Sequence, residues 1–296
     1  MRRLLARHRT EFTYDGEARE STNEVRLCPV RHARQRVLSV SVRVTPEAEV
    51  HHHRDAFGND VGWFQVEGPH SRLLVEAEAL VEVSGHPVLP APAGFAALED
   101  PGLRDRLAAF LLPSALVHWP EAVDYFAQGL EPGADEVGRW LVDLEEAVNR
   151  SIVYERGHTA VDTPVERVVQ ARRGVCQDMA HLFIALCRRR GVPARYVSGW
   201  LHQAGRDDPA ESHAWAEAWA PGTGWVEFDP THPDPDLTHY VRVAVGRDYG
   251  DVPPFRGTYV GAPTERMDVH VEIREVDAAP GAAGGADAPP VPGVSG

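Results

Sequence analysis

Arg173-Gly-Val-Cys-Gln-Asp178 opens the stretch on which the reading of the whole chain turns. After Cys176, the apolar residues Met179, Leu182, Phe183 and Leu186 recur at three- and four-residue steps, the period of an amphipathic helix. Arg188-Arg-Arg190 falls in its last turn as a charge cluster, Gly191 at the C-cap, and Pro193 stops it. The cysteine therefore stands in a first helical turn, where the amide groups lack intrahelical partners and the dipole favours an anion. A thiolate is stabilised there. The same amides can hold an oxyanion once a carbonyl is attacked.

Three strand-like runs follow: Ala194 to Leu201, Glu211 to Trp219, and Trp225 to Asp229. In the second, His213, Trp215, Glu217 and Trp219 point to one side, and Ala214, Ala216 and Ala218 to the other. His213 is the strongest candidate for a general base. Pro221-Gly-Thr-Gly224 is a turn signal, so the second and third runs should pair as a hairpin. A register with Trp215 opposite Asp229 puts the carboxylate on the histidine's face, on a diagonal of about 7–8 Å. There it can orient the imidazole and stabilise its charged form. A register shifted by one residue sends the two side chains to opposite faces. Gln170 and Gln177 are candidate oxyanion donors. Gln177, Trp215 and Trp225 are candidate substrate-binding residues, with Trp219 a further aromatic wall. Cys187 and Cys28 read as buried small hydrophobes.

Upstream, residues 1–84 read as an all-β module. Arg26–Val30, Arg36–Thr45 and Ser71–Val83 are strand-like, and Leu38, Val40, Val42 and Val44 alternate as a half-buried strand requires. Residues 85–134 read as a Pro/Ala/Gly linker and helical connection, 135–275 as the core, and 276–296 as a tail. The last twenty residues hold six Ala, five Gly and four Pro, a disordered composition. Helical faces are expected at Leu103, Leu107, Phe110 and Leu111, and at Val137, Trp140, Leu141 and Leu144. Thr163-Pro-Val-Glu166 has the form of a capping box.

The chain has 296 residues, 43% of them hydrophobic, which is enough for a sizeable core. Its net charge of −14 argues against a nucleic-acid binder and against a partner of anionic membranes. With three cysteines, no apolar run near twenty residues and no signal-like segment at Met1–Thr10, a cytoplasmic protein is expected. No cofactor and no metal are expected: the cysteines form no CxxC pair, and His51-His-His53 point to alternate faces of a strand. All the basic residues are arginine; lysine is absent.

Gly174-Val-Cys-Gln-Asp178, Ala194-Arg-Tyr-Val-Ser-Gly199, Ser212-His-Ala-Trp215 and Gly224-Trp225 through Phe228-Asp-Pro-Thr231 resemble the core of bacterial transglutaminase-like proteins. Val241-Arg-Val-Ala-Val-Gly-Arg-Asp-Tyr249 resembles the segment that follows it in that family. Asn23-Glu-Val-Arg-Leu27, Gln35-Arg-Val-Leu38 and Phe57-Gly-Asn59 resemble the family's β-rich N-terminal module. The resemblance implies an α+β chain: an all-β module followed by a papain-like core of helices packed on an antiparallel sheet. It further implies Cys176 as nucleophile, His213 as base and acid, and Asp229 as orienter. The expected chemistry is thiol-based acyl transfer on a protein or peptide substrate, with a thioester resolved by a primary amine or by water. Transamidase, peptidase and amidase share this fold and triad. The rival class is a binding or scaffold protein that keeps the fold without turnover, and an intact triad argues against it.

Overall fold

The structure, a computed structural model, describes residues 1–85, 90–129, 135–202, 211–233 and 235–277. Residues 86–89 of the expected linker and all but the first residues of the expected tail lie outside these.

The chain begins with β1 (Arg2–Cys28), β2 (Gln35–Thr45), β3 (His51–Arg54) and β4 (Asp60–Val83). β4 pairs antiparallel with β1 on one side and with β2 and β3 on the other. Along β4, Leu73, Val75, Ala77, Ala79, Val81 and Val83 are all buried, the period-two pattern of a strand with one covered face. β1 is far longer than expected. Its inward positions include His8 and Thr10 alongside Leu4, Ala6, Phe12 and Tyr14, and these polar members obscured the alternation. At the edge strand β2 a register shift falls between Val37 and Ser39, and Leu38 and Val40 stay exposed.

Next come α1 (Pro101–Arg106), α2 (Glu121–Gln128), α3 (Val137–Ser151), β5 (Val153–Tyr154), α4 (Val165–Ala171), β6 (Arg173–Gly174) and α5 (Cys176–Arg189). The capping box at Thr163 does not form. Its hydroxyl accepts from the Ala160 N–H at 2.8 Å, and Glu166 faces His118 at 3.3 Å. Then follow β7 (Ala194–Leu201), β8 (Glu211–Ala220), β9 (Gly224–Phe228) and β10 (Tyr240–Gly246), an antiparallel sheet in the order β10-β7-β8-β9. Buried Ala214, Ala216 and Ala218 of β8 lie in one apolar cluster with α5, and their small side chains let the helix close on the sheet.

The last two strands, β11 (Phe255–Val260) and β12 (Glu265–Glu275), do not belong to the core. Both pair with β1 in the first sheet. The expected core boundary at 275 is thus corrected: the sequence after β10 returns to the N-terminal module. The connection at 85–134 is corrected too, because Leu98, Leu103, Leu107, Val123 and Phe126 join the same cluster as α5 and the β1–β4 sheet. Module and core share one hydrophobic interior.

Two amide side chains bind the sheets together. Gln35 donates to the Arg242 carbonyl at 2.8 Å and accepts from its N–H at 2.9 Å. Asn59 does the same for Val245, at 2.7 and 2.8 Å. These amides satisfy outward backbone groups of the edge strand β10. Within the charge cluster at the end of α5, Arg188 is buried and donates to the carbonyls of Ala194, Leu112 and Arg247.

Candidate active site

Cys176 is the first residue of α5, with Val175 as N-cap in extended conformation. The turn is held by Asp178, whose Oδ2 accepts the Val175 N–H at 2.7 Å and the Thr159 hydroxyl at 2.6 Å. A Cβ at position 174 would stand 2.8 Å from that carboxylate, so glycine is required there. The half-buried Cys176 differs from its two counterparts. Cys28 is buried and its thiol is pushed up to about 12, while burial drives the Cys187 thiol well above its ordinary range.

The register of β8 and β9 is Ala216↔Phe228 and Glu217↔Glu227, the one that brings Asp229 level with Trp215. His213 Nε2 lies 2.7 Å from Asp229 Oδ2, both groups being buried. The carboxylate also accepts from Tyr240 Oη at 2.7 Å, His232 Nδ1 at 3.1 Å and the Thr231 N–H at 3.0 Å. Glu145 of α3 accepts the Asp229 N–H at 2.6 Å and fixes the backbone. Burial works against charge on His213. The charge and hydrogen bond of Asp229, joined by the Cys176 sulfur, outweigh it and raise the imidazole far above its ordinary range. Burial likewise opposes ionisation of Asp229, yet His213 and the other donors hold its carboxyl well below the usual range. The site thus favours a charged imidazole between a carboxylate and a sulfur.

Residues 124–230 match the family model of the transglutaminase-like superfamily, and residues 4–82 that of the bacterial transglutaminase-like N-terminal region. The chain belongs to the transglutaminase-like superfamily. An uncharacterised protein of Mycobacterium leprae is 34% identical to it, with 92% of this chain and 99% of that one covered. A protein-glutamine gamma-glutamyltransferase of Pseudomonas aeruginosa is 34% identical over 25% of this chain and 12% of that one. A solved structure of a candidate cysteine protease from Cytophaga hutchinsonii matches the fold with a TM-score of 0.75 at 22% identity, covering 94% of this chain and 92% of that one.

Cavities lie on either side of Cys176 and His213 in this transglutaminase-like protein. One, of about 540 Å³, is flanked by Arg156, Thr159, Thr231 and His232; the other, of about 330 Å³, runs towards β12. Gln177 borders the second, and one N–H of its amide donates to the Val161 carbonyl at 2.6 Å. Gln170 is exposed at the end of α4 and borders neither cavity.

Trp215 and Trp225 do not form walls of the cleft, contrary to the sequence reading. Trp215 is fully buried and stacks beside His213 with ring centroids 6.1 Å apart, so it steadies the imidazole from behind. A Cβ at Gly199 would lie 2.5 Å from its ring, which explains the glycine there. Trp225 sits under the Arg195 guanidinium at 4.1 Å, packed on Trp219 and Phe110. Tyr240, His232 and Glu145 escaped the sequence reading. Of these, His232 and Tyr240 directly adjoin the quoted segments ending at Thr231 and beginning at Val241, whereas Glu145 carried no signal.

Among the described residues, two groups gather three metal-ligating atoms within 4.8 Å: Cys28, His52 and Asp60, and His213, Asp229 and His232. In the second, Asp229 Oδ2 is already shared by the two imidazoles.

Proposed function

We propose that this protein is a thiol acyltransferase in which Cys176, His213 and Asp229 act as nucleophile, acid–base and orienter. The observation that carries this reading is the His213–Asp229 contact of 2.7 Å in a buried site where the imidazole also feels the Cys176 sulfur. With Nε2 bound to Asp229, the other ring nitrogen serves the sulfur. His213 takes the thiol proton, and the thiolate adds to a carboxamide carbonyl. First-turn amides of α5 stabilise the oxyanion. The imidazolium then gives its proton to the departing nitrogen as the C–N bond breaks, leaving a thioester on Cys176. An amine or water, deprotonated by His213, attacks that thioester and releases the thiol.

The substrate is read as a protein or peptide, and three free cysteines support a reducing, cytoplasmic setting. Incubating the pure protein with peptide amides, with and without an added primary amine, tests the reading. Ammonia release that disappears in Cys176→Ala is expected, and an amide-linked product with the amine marks transfer over hydrolysis. Because lysine is absent, the protein offers no side-chain amine of its own, so covalent ladders should require the added amine. A Cys176→Ala variant that still releases ammonia would overturn the assignment.

A further inference from the structure

β12 carries an apolar stripe that runs out of the core and ends beside the nucleophile. Met267, Val269, Val271 and Ile273 alternate along this edge strand and share one face. Val271 is buried and Ile273 packs on the main core, whereas Val269 and Met267 are 48% and 54% exposed. Both side chains of this exposed pair border the cavity of about 330 Å³ that reaches Cys176 and His213. Phe255, Tyr196 and Tyr249 complete its apolar walls. Among the described residues, no carboxylate and no arginine borders it. His8, on the floor, is pushed down to about 4 by burial and is neutral near neutral pH. The cavity on the other side of Cys176 is unlike it, bordered by Arg156, Thr159, Thr231 and His232.

We infer that the β12 arm is the acyl-donor subsite, and that it selects donors bearing an uncharged, apolar side chain next to the reacting carbonyl. This deepens the acyltransferase reading and rests on Cys176 as nucleophile. The acyl portion brings no charge to the thioester, so it fits walls without counter-charges, where burying an ionised side chain is costly. Ammonia, amines and water need hydrogen-bond partners and use the polar arm. A volume near the lower end for small-molecule sites suits one side chain better than a folded partner surface. The N-terminal sheet thereby becomes part of the substrate site, because β12 is held in place by β1.

Acetyl-leucyl and acetyl-aspartyl chloromethyl ketones, which alkylate a thiolate with loss of chloride, provide the test. Rates at Cys176 are read by mass mapping and divided by each variant's own iodoacetamide rate, which needs no arm. The wild type should prefer the leucyl reagent by at least about tenfold. That preference should fall about tenfold in Met267→Ser/Val269→Ser and shift towards the aspartyl reagent in Met267→Arg. No preference in the wild type, or one unchanged in both variants, would overturn the subsite while leaving the nucleophile intact. Iodoacetamide that fails to single out Cys176 would instead remove the nucleophile, and the subsite with it.

Discussion

The two sheets differ in how they hold charge, although Glu82 of the first is also buried, between Arg3 and Arg36. In the first, arginines and glutamates pair across strands at the surface, as Arg7 does with Glu78 at 2.6 Å, with side chains 56% and 47% exposed. In the second, the ionised groups are closed in. Glu217 is buried and accepts from Arg195 at 2.5 Å and Arg242 at 2.6 Å. Burial opposes its ionisation, but the two guanidiniums keep its carboxyl below the usual range. Its neighbour Glu227 accepts from Arg34, in the turn before β2, and from the Trp215 indole. Solvated pairs are interchangeable, whereas buried ones fix both position and protonation state. The acid–base chemistry proposed for Cys176 needs the second condition, which Asp229 meets at the end of β9.

The sharpest break in this contrast is Asp229→Asn. An amide in that buried place cannot stabilise the imidazolium and selects the wrong tautomer. Turnover in the amide assay should fall by about 10⁴-fold in a folded protein, the loss known for the equivalent change in serine proteases. The stability of the wild type should depend on pH in a set direction. His213 is raised from 6.5 to about 10, so its contribution is complete below pH 6.5 and is lost as pH rises through about 10. Asp229 is depressed from 3.8, so its contribution is complete above 3.8 and is lost as pH falls through the lowered value. Denaturant melts should show a wider gap between wild type and variant near pH 5 than near pH 9.5.

Next in size is Glu217→Gln, which leaves Arg195 and Arg242 buried without their carboxylate. A loss of about 3–5 kcal/mol in unfolding free energy is expected. Cys187→Ala should cost about 1 kcal/mol and leave ammonia release intact, since that thiol only fills space in the core. At the small end, Glu78→Gln in the first sheet should leave the unfolding midpoint unchanged, because water already solvates both partners. A cost at Glu78 approaching that at Glu217 would break the contrast between the sheets.

What the sequence disclosed follows the same division. The juxtaposition of His213 and Asp229 near Cys176 was legible because helix start, strand alternation and hairpin register are local rules, and the observed register is the one that sets Asp229 against His213. The module was legible as β, yet its extent was not. Residues 2–28 place His8 and Thr10 inward, and the strands that flank β1 come from residues 255–275, a pairing no local pattern announces. Trp215 and Trp225 were misplaced for a related reason. Alternation tells which face a side chain takes but not what covers it: Trp215 is buried against Tyr240, and Trp225 lies under Arg195. Gln35 and Asn59 stood in the motifs that marked the family resemblance, and only the fold gives them a task, closing the edge of β10.

We propose that Cys176, alone among the three cysteines, is the nucleophile that His213 and Asp229 serve. Alkylation by iodoacetamide near neutral pH, followed at all three cysteines by peptide mass mapping, tests it most directly. Cys176 should react orders of magnitude faster than Cys28 and Cys187, and that advantage should collapse in His213→Ala and shrink in Asp229→Asn. Equal rates at the three thiols, or a Cys176 rate indifferent to His213, would contradict the account.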